Sequence, residues 1–423
     1  MTDEGIRGLC VGSIDEFGRN NEKTGNCKSI NTLSMNKTKV SKKGVEMAIE
    51  NLPDLKTFHF SRSVEILAEL YEAALDRESP DSLNKYSFKC KVLSYSASSP
   101  YKSGNLRRAA SICPSVNTLR IGAVRGLNDT ELQGLLELKN IREMEMFSTI
   151  VGEEDDDDYL ESEEEKSNED SEEDDFFNDL MWPVLISRGI TLNGGIHPLL
   201  KSFGKSLTRL KLSHLKICFN MLVMTIAECC PLLEELKFED AQSYSARGEL
   251  LEEEREPGCP ERPNKDTPVL KNLKKLDLSD ERTSHLTPEM LLFLLSSPSL
   301  MSLDLMFCSA LTDDVVEEAV KLHQFRNLES LHIFKCNSIT KKGIDFLMND
   351  RNPLEKLDIS DCSYFEVIGP NRDVEEWRNL AREENWFFEI NFFSFRNLFY
   401  ETSTPMYREQ YKSLYEAFFG KTD

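Results

Sequence analysis

Three cysteines in the C-terminal half of the chain, Cys308, Cys336 and Cys362, stand 28 and 26 residues apart and could suggest metal chemistry. Zinc sites need Cys or His ligands that are paired at short spacing in the chain. These cysteines instead recur once every 26 to 28 residues, which is the spacing expected for equivalent positions in successive structural units. We therefore expect small buried side chains at a recurring turn, and the sequence predicts no metal site.

Three aspartates, Asp277, Asp304 and Asp358, hold one equivalent position in these units and could suggest paired carboxylates for acid–base catalysis. Equivalent positions on adjacent parallel strands lie only ~4.8 Å apart. His332 holds that position between Asp304 and Asp358, however, so a recognition strip is the favoured interpretation. The sequence contains neither a recognisable nucleophile context nor a phosphate-binding glycine motif. It therefore predicts neither an enzyme nor a bound cofactor.

The elements that position these residues follow from an internal repeat in which aliphatic and polar residues alternate. The clearest copies are anchored at Leu276, Leu303, Leu331 and Leu357, which are 27, 28 and 26 residues apart. Further anchors upstream are Leu33, Phe58, Tyr86, Leu119, Met144, Leu210 and Leu236. Alternate residues of a strand face opposite ways, so the aliphatic residues point into one core that the stacked units share. This period predicts an α/β fold, a leucine-rich-repeat solenoid or horseshoe with a parallel concave sheet and helices on the convex side.

Helices should open between the strands. Thr312 and Thr340 stand where a helix N-cap is expected, at the start of Thr-Asp-Asp-Val-Val and Thr-Lys-Lys-Gly-Ile. Ser41 begins a similar segment, Ser-Lys-Lys-Gly-Val, near the N-terminus. Each unit thus carries one strand and one helix.

These units resemble the cysteine-containing subclass of leucine-rich repeats, with the consensus L-x-x-L-x-L-x-x-C-x-x-[IL]-T-x-x-[GV]-[IV]. The resemblance covers roughly residues 1 to 390 and concerns the repeat alone. This subclass is best known from F-box proteins, the substrate receptors of cullin-type ubiquitin ligases. The resemblance therefore implies a module that recognises a protein substrate for ubiquitin-dependent degradation.

An F-box itself is not recognisable in the sequence. The segment Asn51–Leu55 is similar to its opening, but it sits in repeat register and belongs to the strand predicted at Phe58. Met1–Ile6 matches the second half of a unit, so the N-terminus is either truncated or capped by a half-unit. With truncation, an F-box would lie upstream and the ubiquitin-ligase scaffold would be a partner.

Two insertions and a change of composition divide the chain. The predicted segments are 1–151 (N-terminal repeats that start mid-repeat), 152–178 (acidic disordered loop), 179–241 (middle repeats), 242–268 (Pro-rich and acidic loop), 269–370 (C-terminal cysteine-type repeats) and 371–423 (aromatic-rich C-terminal cap). One further strand is expected at Pro183–Ile186. The C-terminal segment has a second interpretation, a partner-binding helix with Tyr407, Tyr411 and Phe418 on one face.

The acidic loop carries 16 Asp and Glu against one Lys between Glu153 and Asp175. Such a segment cannot bury apolar area and repels itself when compact, so we expect it to be disordered. Ser162, Ser167 and Ser171 each precede an acidic residue by three positions, which suits phosphorylation by an acidophilic kinase. The loop is either a solvated spacer or a ligand for basic protein segments.

The composition of the chain limits the classes of molecule that the protein is expected to bind. The formal net charge of -23 argues against nucleic acid, because phosphates would be repelled. The N-terminus lacks the basic start and apolar core of a signal peptide, and no apolar run approaches the ~20 residues of a membrane span. We therefore expect no membrane partner, a cytoplasmic or nuclear location, and 11 reduced cysteines.

The polar residues of each strand should point out of the core, onto the concave face. In the C-terminal repeats this predicts a protein-binding site formed by Asp277, Asp304, Met306, His332, Phe334 and Asp358. Met306 and Phe334 would form an apolar centre with polar surrounds, as is typical of protein interfaces, unless one or both turn into the rim of the core. The sequence thus favours a non-catalytic protein-binding module of the F-box receptor type. The alternative is an acidic scaffold that binds basic proteins such as histones.

Overall fold

Short parallel strands form where the sequence alternates aliphatic and polar residues, and they divide between two units. The units comprise Met1–Ser206 with His214–Lys216, and Leu207–Ser213 with Ile217–Asp423. The computed structural model describes residues 1–11, 29–35, 38–52, 54–60, 62–75, 88–95, 101–123, 126–148, 189–213, 218–239, 262–264, 266–279, 286–348, 354–368, 370–383 and 389–393.

In the first unit the described strands form two parallel groups. They are β1 (Thr32–Ser34) paired with β2 (Thr57–His59), and β3 (Val92–Tyr95), β4 (Thr118–Ala123) and β5 (Glu143–Ser148) paired in chain order. The register aligns Leu33 with Phe58, and Leu119 with both Leu93 and Met144. Each anchor residue therefore lies beside the anchor of the next repeat.

The third strand of this unit differs from the sequence expectation, which placed its anchor at Tyr86. The strand that pairs with β4 is β3, and Leu93 takes the anchor position. Tyr86 itself lies outside the described residues. Leu93 and Tyr95 are almost fully buried, so this pair fills the core. Leu93 is an anchor because it packs beside Leu119 in the next strand. The local alternation of residues in the sequence does not show this contact.

Helices and tight helical turns connect the strands of the first unit. They are α1 (Asp3–Val11), α2 (Lys42–Asn51), α3 (Ser63–Leu75), α4 (Asn105–Ile112), α5 (Asp129–Leu132) and α6 (His197–Phe203), with 3-10 turns at Gln133–Glu137 and Gly204–Ser206 and a π turn at Leu192–Ile196. Ser41 stands at the N-cap of α2, as predicted. Val45 and Ile49 are four residues apart on α2 and both are buried, which is the expected pattern for a helix with one apolar face.

The second unit is built on a parallel sheet whose strands follow one another in chain order. They are β6 (Arg209–Ser213), β7 (Glu235–Glu239), β8 (Lys275–Ser279), β9 (Ser302–Met306), β10 (Ser330–Phe334), β11 (Lys356–Ser360) and β12 (Glu389–Phe393). Their aligned anchors are Leu210, Leu236, Leu276, Leu303, Leu331, Leu357 and Ile390, all buried. This register confirms the predicted repeat, and the chain folds as an α/β leucine-rich-repeat solenoid. Strand β12 lies within the segment 371–423, for which we expected a cap.

The described part of the second unit contains six helices. They are α7 (Phe219–Cys229), α8 (Pro288–Leu295), α9 (Asp313–His323), α10 (Lys341–Asp345), α11 (Ser363–Ile368) and α12 (Pro370–Glu383). The Thr312 Oγ1 accepts a hydrogen bond from the backbone N–H of Val315 at 3.3 Å. The Thr340 Oγ1 accepts one from Lys342 at 3.2 Å, so both predicted N-caps are confirmed.

The recurring cysteines lie in the core. Cys308, Cys336 and Cys362 have no exposed surface, and the Cys336 Sγ donates to the Leu305 carbonyl at 3.4 Å. Burial raises the pKa of the Cys308 thiol to about 11. These side chains therefore serve as small buried residues at the recurring turn, as predicted. The expectation that every cysteine is reduced is wrong at Cys218, which is disulfide-bonded.

Several predicted features lie outside the described residues. They are the acidic loop with Ser162, Ser167 and Ser171, the strand expected at Pro183–Ile186, and the aromatic helix that would carry Tyr407, Tyr411 and Phe418. Among the residues that are described, no helix combines the length and the apolar character needed to cross a bilayer.

Candidate functional site

The outward-facing residues of the second unit form a continuous polar row across its sheet. This central row consists of Lys211, Lys237, Asp277, Asp304, His332, Asp358 and Asn391, which the strand register places side by side. Each member is partly or fully exposed, whereas the residues that precede and follow it along its strand are mainly the buried anchors. The alternation of a strand therefore brings three predicted aspartates and His332 onto one surface.

The first part of the central row is an ion-pair network. The Lys237 Nζ lies 2.8 Å from the Asp277 Oδ2, and the Lys211 Nζ lies 2.6 Å from the Glu239 Oε2. Burial raises the pKa of the Asp277 carboxyl, against the opposing effects of Lys237 and a hydrogen bond from Ser279. For Glu239 burial also favours protonation, but the two lysines outweigh it and its pKa is lowered. Asp277 is thus held by Lys237 and Ser279 rather than by another carboxyl group.

His332 occupies the centre of the predicted site. Its Nδ1 lies 2.9 Å from the Asp304 Oδ1, a distance that fits an N–H donating to the carboxylate. The hydrogen bond to Asp304 raises the pKa of His332, while burial opposes the shift and the charge of Asp358 adds to it. About a third of the His332 side chain is exposed, so its ring remains in contact with solvent.

Asp358 has partners of its own on the far side of His332. The Asn391 Nδ2 donates to its Oδ1 at 2.9 Å, and the Lys356 Nζ lies 2.8 Å from its Oδ2. Each aspartate of the central row therefore interacts with a different basic or amide group. This arrangement suits a recognition surface better than a pair of catalytic carboxyls that share a proton.

The apolar centre that the sequence predicts is only partly present. Met306 is half-buried, but Phe334 is 7% exposed and therefore does not offer its ring to a ligand. The Phe307 ring packs edge-on against the Phe334 ring with centroids 5.4 Å apart, and the Lys335 Nζ lies 5.3 Å from the Phe307 centroid. Phe334 is therefore not exposed and follows the alternative that it turns into the rim of the core, because Phe307 and Lys335 cover its ring.

Phe307 and Lys335 are residues of this surface that sequence reasoning missed. Both have left-handed backbone conformations, with φ of 55° and 50°, and Asp361 repeats this with φ of 50°. The Phe307 and Lys335 N–H groups donate to carbonyls of the next strand, at Phe334 and Ser360. The left-handed turn thus ends each strand just before the recurring cysteine. Their one sequence signal is this position directly before that cysteine.

An open groove of about 690 Å³ lies between α10 and α12 of this unit. The Asp345 carboxylate there accepts hydrogen bonds from the Trp377 Nε1 and the Lys341 Nζ, both at 2.8 Å. The Trp377 ring itself is buried. These contacts hold the two helices together, and the groove belongs to their packing.

Metal binding has no site in the part of the chain described above. Within those ranges no group of three or more His, Cys, Asp and Glu side chains has a geometry that could hold an ion.

Comparisons with known proteins do not identify a family. No protein-family model matches the chain, and no curated protein matches it. One similar solved structure is described as "Crystal structure of Rad7 and Elc1 complex in yeast"; it has 13% sequence identity and a TM-score of 0.35, and the match covers 88% of this chain and 76% of that chain. A likeness this distant supports no argument about fold or function, so the assignment of a leucine-rich-repeat solenoid rests on the strand register.

Proposed function

We propose that this protein is a non-catalytic protein-binding module whose ligand lies across the central row. The observation that carries this proposal is the register of β8 to β11, which sets Asp277, Asp304, His332 and Asp358 beside one another on one exposed surface. Half-buried Met306 lies on the same strand as Asp304 and provides apolar contact area next to the charges. Interfaces combine apolar contact area with such a polar rim.

The repeat consensus extends the proposal to a role. A buried cysteine and a helix-capping threonine recur in the repeats, for example at Cys336 and Thr340. They recur in the same way in the cysteine-containing subclass that the chain resembles. We infer a substrate-recognition part of an F-box type subunit of a cullin-type ubiquitin ligase, acting in the cytoplasm or nucleus. That role also requires an F-box to dock the ligase scaffold.

Site-specific photo-crosslinking tests the location of the ligand. A photoreactive phenylalanine analogue is placed at Met306, and in a control protein at Leu322, which is 60% exposed on α9. We expect a protein adduct from position 306 that is absent from position 322. Asp304→Lys should abolish the adduct, whereas Asp314→Lys, the same charge change at the start of α9, should leave it. Equal adducts from both positions would refute the proposed surface.

The ligase role is tested separately from the surface. Affinity purification of the full-length protein should recover the cullin scaffold, and the proteins crosslinked at position 306 should gain stability when the ligase is inhibited. Crosslinked proteins whose lifetimes do not change under inhibition would contradict the receptor role and leave the binding surface intact.

A second candidate, an acidic scaffold for basic proteins such as histones, is favoured by the net charge of -23. Electrostatic binding of this kind weakens as salt screens the charges. We expect histone binding, if it is the function, to be lost at high salt and after deletion of residues 153–175. Binding that persists after that deletion but fails in Asp304→Lys would favour the central row instead.

A further inference from the structure

The position of His332 between two carboxylates has a consequence for the solenoid beyond ligand binding. Strand β10 pairs with β9 and β11, and the register sets His332 beside Asp304 on one side and Asp358 on the other. Adjacent strands are only ~4.8 Å apart, so a charge on the imidazole acts on both neighbouring repeats. The 2.9 Å contact between the Nδ1 and Asp304 already joins two of these repeats.

The charged groups around His332 favour its protonated form. Asp304 and Asp358 face it from β9 and β11, and the Lys356 ammonium, which opposes them, is itself paired with Asp358 at 2.8 Å. Further along the sheet, Asp277 is paired with Lys237 and Asn391 is neutral.

The remaining neighbours on the strand of His332 do not change this balance. Its alternate-position neighbours on β10, Ser330 and Phe334, are uncharged. The ring is also partly exposed and can exchange protons with water, unlike the buried thiols beneath the sheet.

We propose that His332 is a pH-sensitive clamp, which on protonation ties β9, β10 and β11 together and places a positive charge in the middle of the central row. Histidine is the side chain that changes charge near physiological pH, so small pH changes operate the clamp. The pKa of His332 is raised in the folded protein, which fixes the sign of the effect on stability. The stabilisation is fully present below the pKa of the unfolded chain and is lost as pH rises through the folded value.

The first test is a pH titration of the protein labelled on its histidine rings, followed by NMR. His332→Asn identifies the resonance by its disappearance, and we expect that resonance to titrate at higher pH than histidine in a denatured sample. In Asp304→Asn the midpoint should fall. The proposal is overturned if the midpoint in wild type is not raised, or if Asp304→Asn leaves it unchanged.

The second test measures the coupling between the clamp residues by a double-mutant cycle. Urea unfolding of wild type, His332→Asn, Asp304→Asn and the double variant is compared at about pH 5.5 and about pH 8.5. The coupling should be clearly larger at the lower pH, and Asp314→Asn in place of Asp304→Asn should give none. Equal coupling at both pH values would overturn the proposal. Neither test needs a ligand, so the clamp and the proposed function can fail independently.

Discussion

The carboxylate of Asp313, the first residue of α9, holds the residue that caps the next helix, Thr340. The Thr340 N–H donates to the Asp313 Oδ1 at 2.8 Å, and its hydroxyl donates to the Oδ2 at 2.6 Å. The Gly343 N–H adds a third bond at 3.0 Å. A negative charge is favoured at the N-terminal end of a helix, and this one serves two helices at once. The contact therefore fixes one repeat against the next.

The same relationship occurs twice in the first unit. Asp3 accepts from the backbone and hydroxyl of Ser41, at 2.6 and 2.5 Å. Asp129 does so from Thr191, at 2.7 and 2.6 Å. In all three cases a glycine stands three residues after the capping residue. The T-x-x-G part of the consensus is thus explained by a contact between repeats.

We predict that Asp313→Ala lowers the free energy of unfolding by about 2 kcal/mol, because three donors lose a charged acceptor. Asp314→Ala is the matched control, since Asp314 is the next residue of α9 and its side chain is 89% exposed. The control should change stability by less than about 0.5 kcal/mol. Urea unfolding measures both, and equal effects of the two substitutions would show that the contact does not stabilise the repeats.

We predict that Gly343→Ala destabilises the protein by about 1–3 kcal/mol. A Cβ at this position would lie 2.6 Å from the Asp313 Oδ1 and 2.8 Å from the Ile339 Cγ1. Gly8→Ala in α1 is the control, because a Cβ there meets nothing within 4 Å. Alanine should there be neutral or stabilising by up to about 1 kcal/mol. Thermal unfolding in which Gly343→Ala behaves like Gly8→Ala would contradict the close approach.

We predict opposite effects from removing the hydroxyl groups of two neighbouring tyrosines. The Tyr95 hydroxyl is buried and has no hydrogen-bond partner among the described residues, so Tyr95→Phe should be neutral or stabilising by up to about 1 kcal/mol. The Tyr101 hydroxyl donates to Glu131 at 3.0 Å and accepts from the Leu106 N–H at 2.7 Å. Tyr101→Phe should therefore cost about 1–2 kcal/mol in denaturant unfolding. The prediction fails if Tyr95→Phe is the more damaging of the two.

We predict that Phe334→Ala destabilises the second unit by about 3 kcal/mol or more, as expected for a buried aromatic ring. Met306→Ala, at the aligned position of β9, should cost less than about 1 kcal/mol because Met306 is half-buried. Ligand binding should be weakened more by Met306→Ala than by Phe334→Ala. Binding is measured under conditions in which the Phe334→Ala protein is still folded. If the Phe334→Ala protein remains stable but no longer binds the ligand, Phe334 contacts the ligand and the prediction is wrong.

We predict that Cys308, Cys336 and Cys362 resist alkylation at about pH 8 until the protein unfolds. Burial raises the pKa of Cys308 to about 11 and raises that of Cys336 well above its ordinary value, so the thiolate is scarce as well as inaccessible. Cys10, which is only half-buried, should react earlier in mass-spectrometric labelling of the native protein. Native labelling of Cys336 as fast as that of Cys10 would contradict the buried ladder.

The repeat could be predicted from sequence because its signal is local and recurs. Leu303-Asp304-Leu305 and Leu331-His332-Ile333 alternate in the period of a strand, and each copy independently points to the same core. The caps Thr312 and Thr340 were predictable for the same reason, since a helix start depends on a few adjacent residues. By itself, the sequence thus determined the solenoid, most of its strands and the outward direction of the central row.

Tertiary structure decided what depends on neighbours distant in the chain. Leu93 became the anchor of β3 because it packs beside Leu119 in the next strand. Phe334 was buried by the ring of Phe307, which a left-handed turn brings over it. Contacts of this kind are separated by a whole repeat, and the two-residue period of a strand carries no information about them.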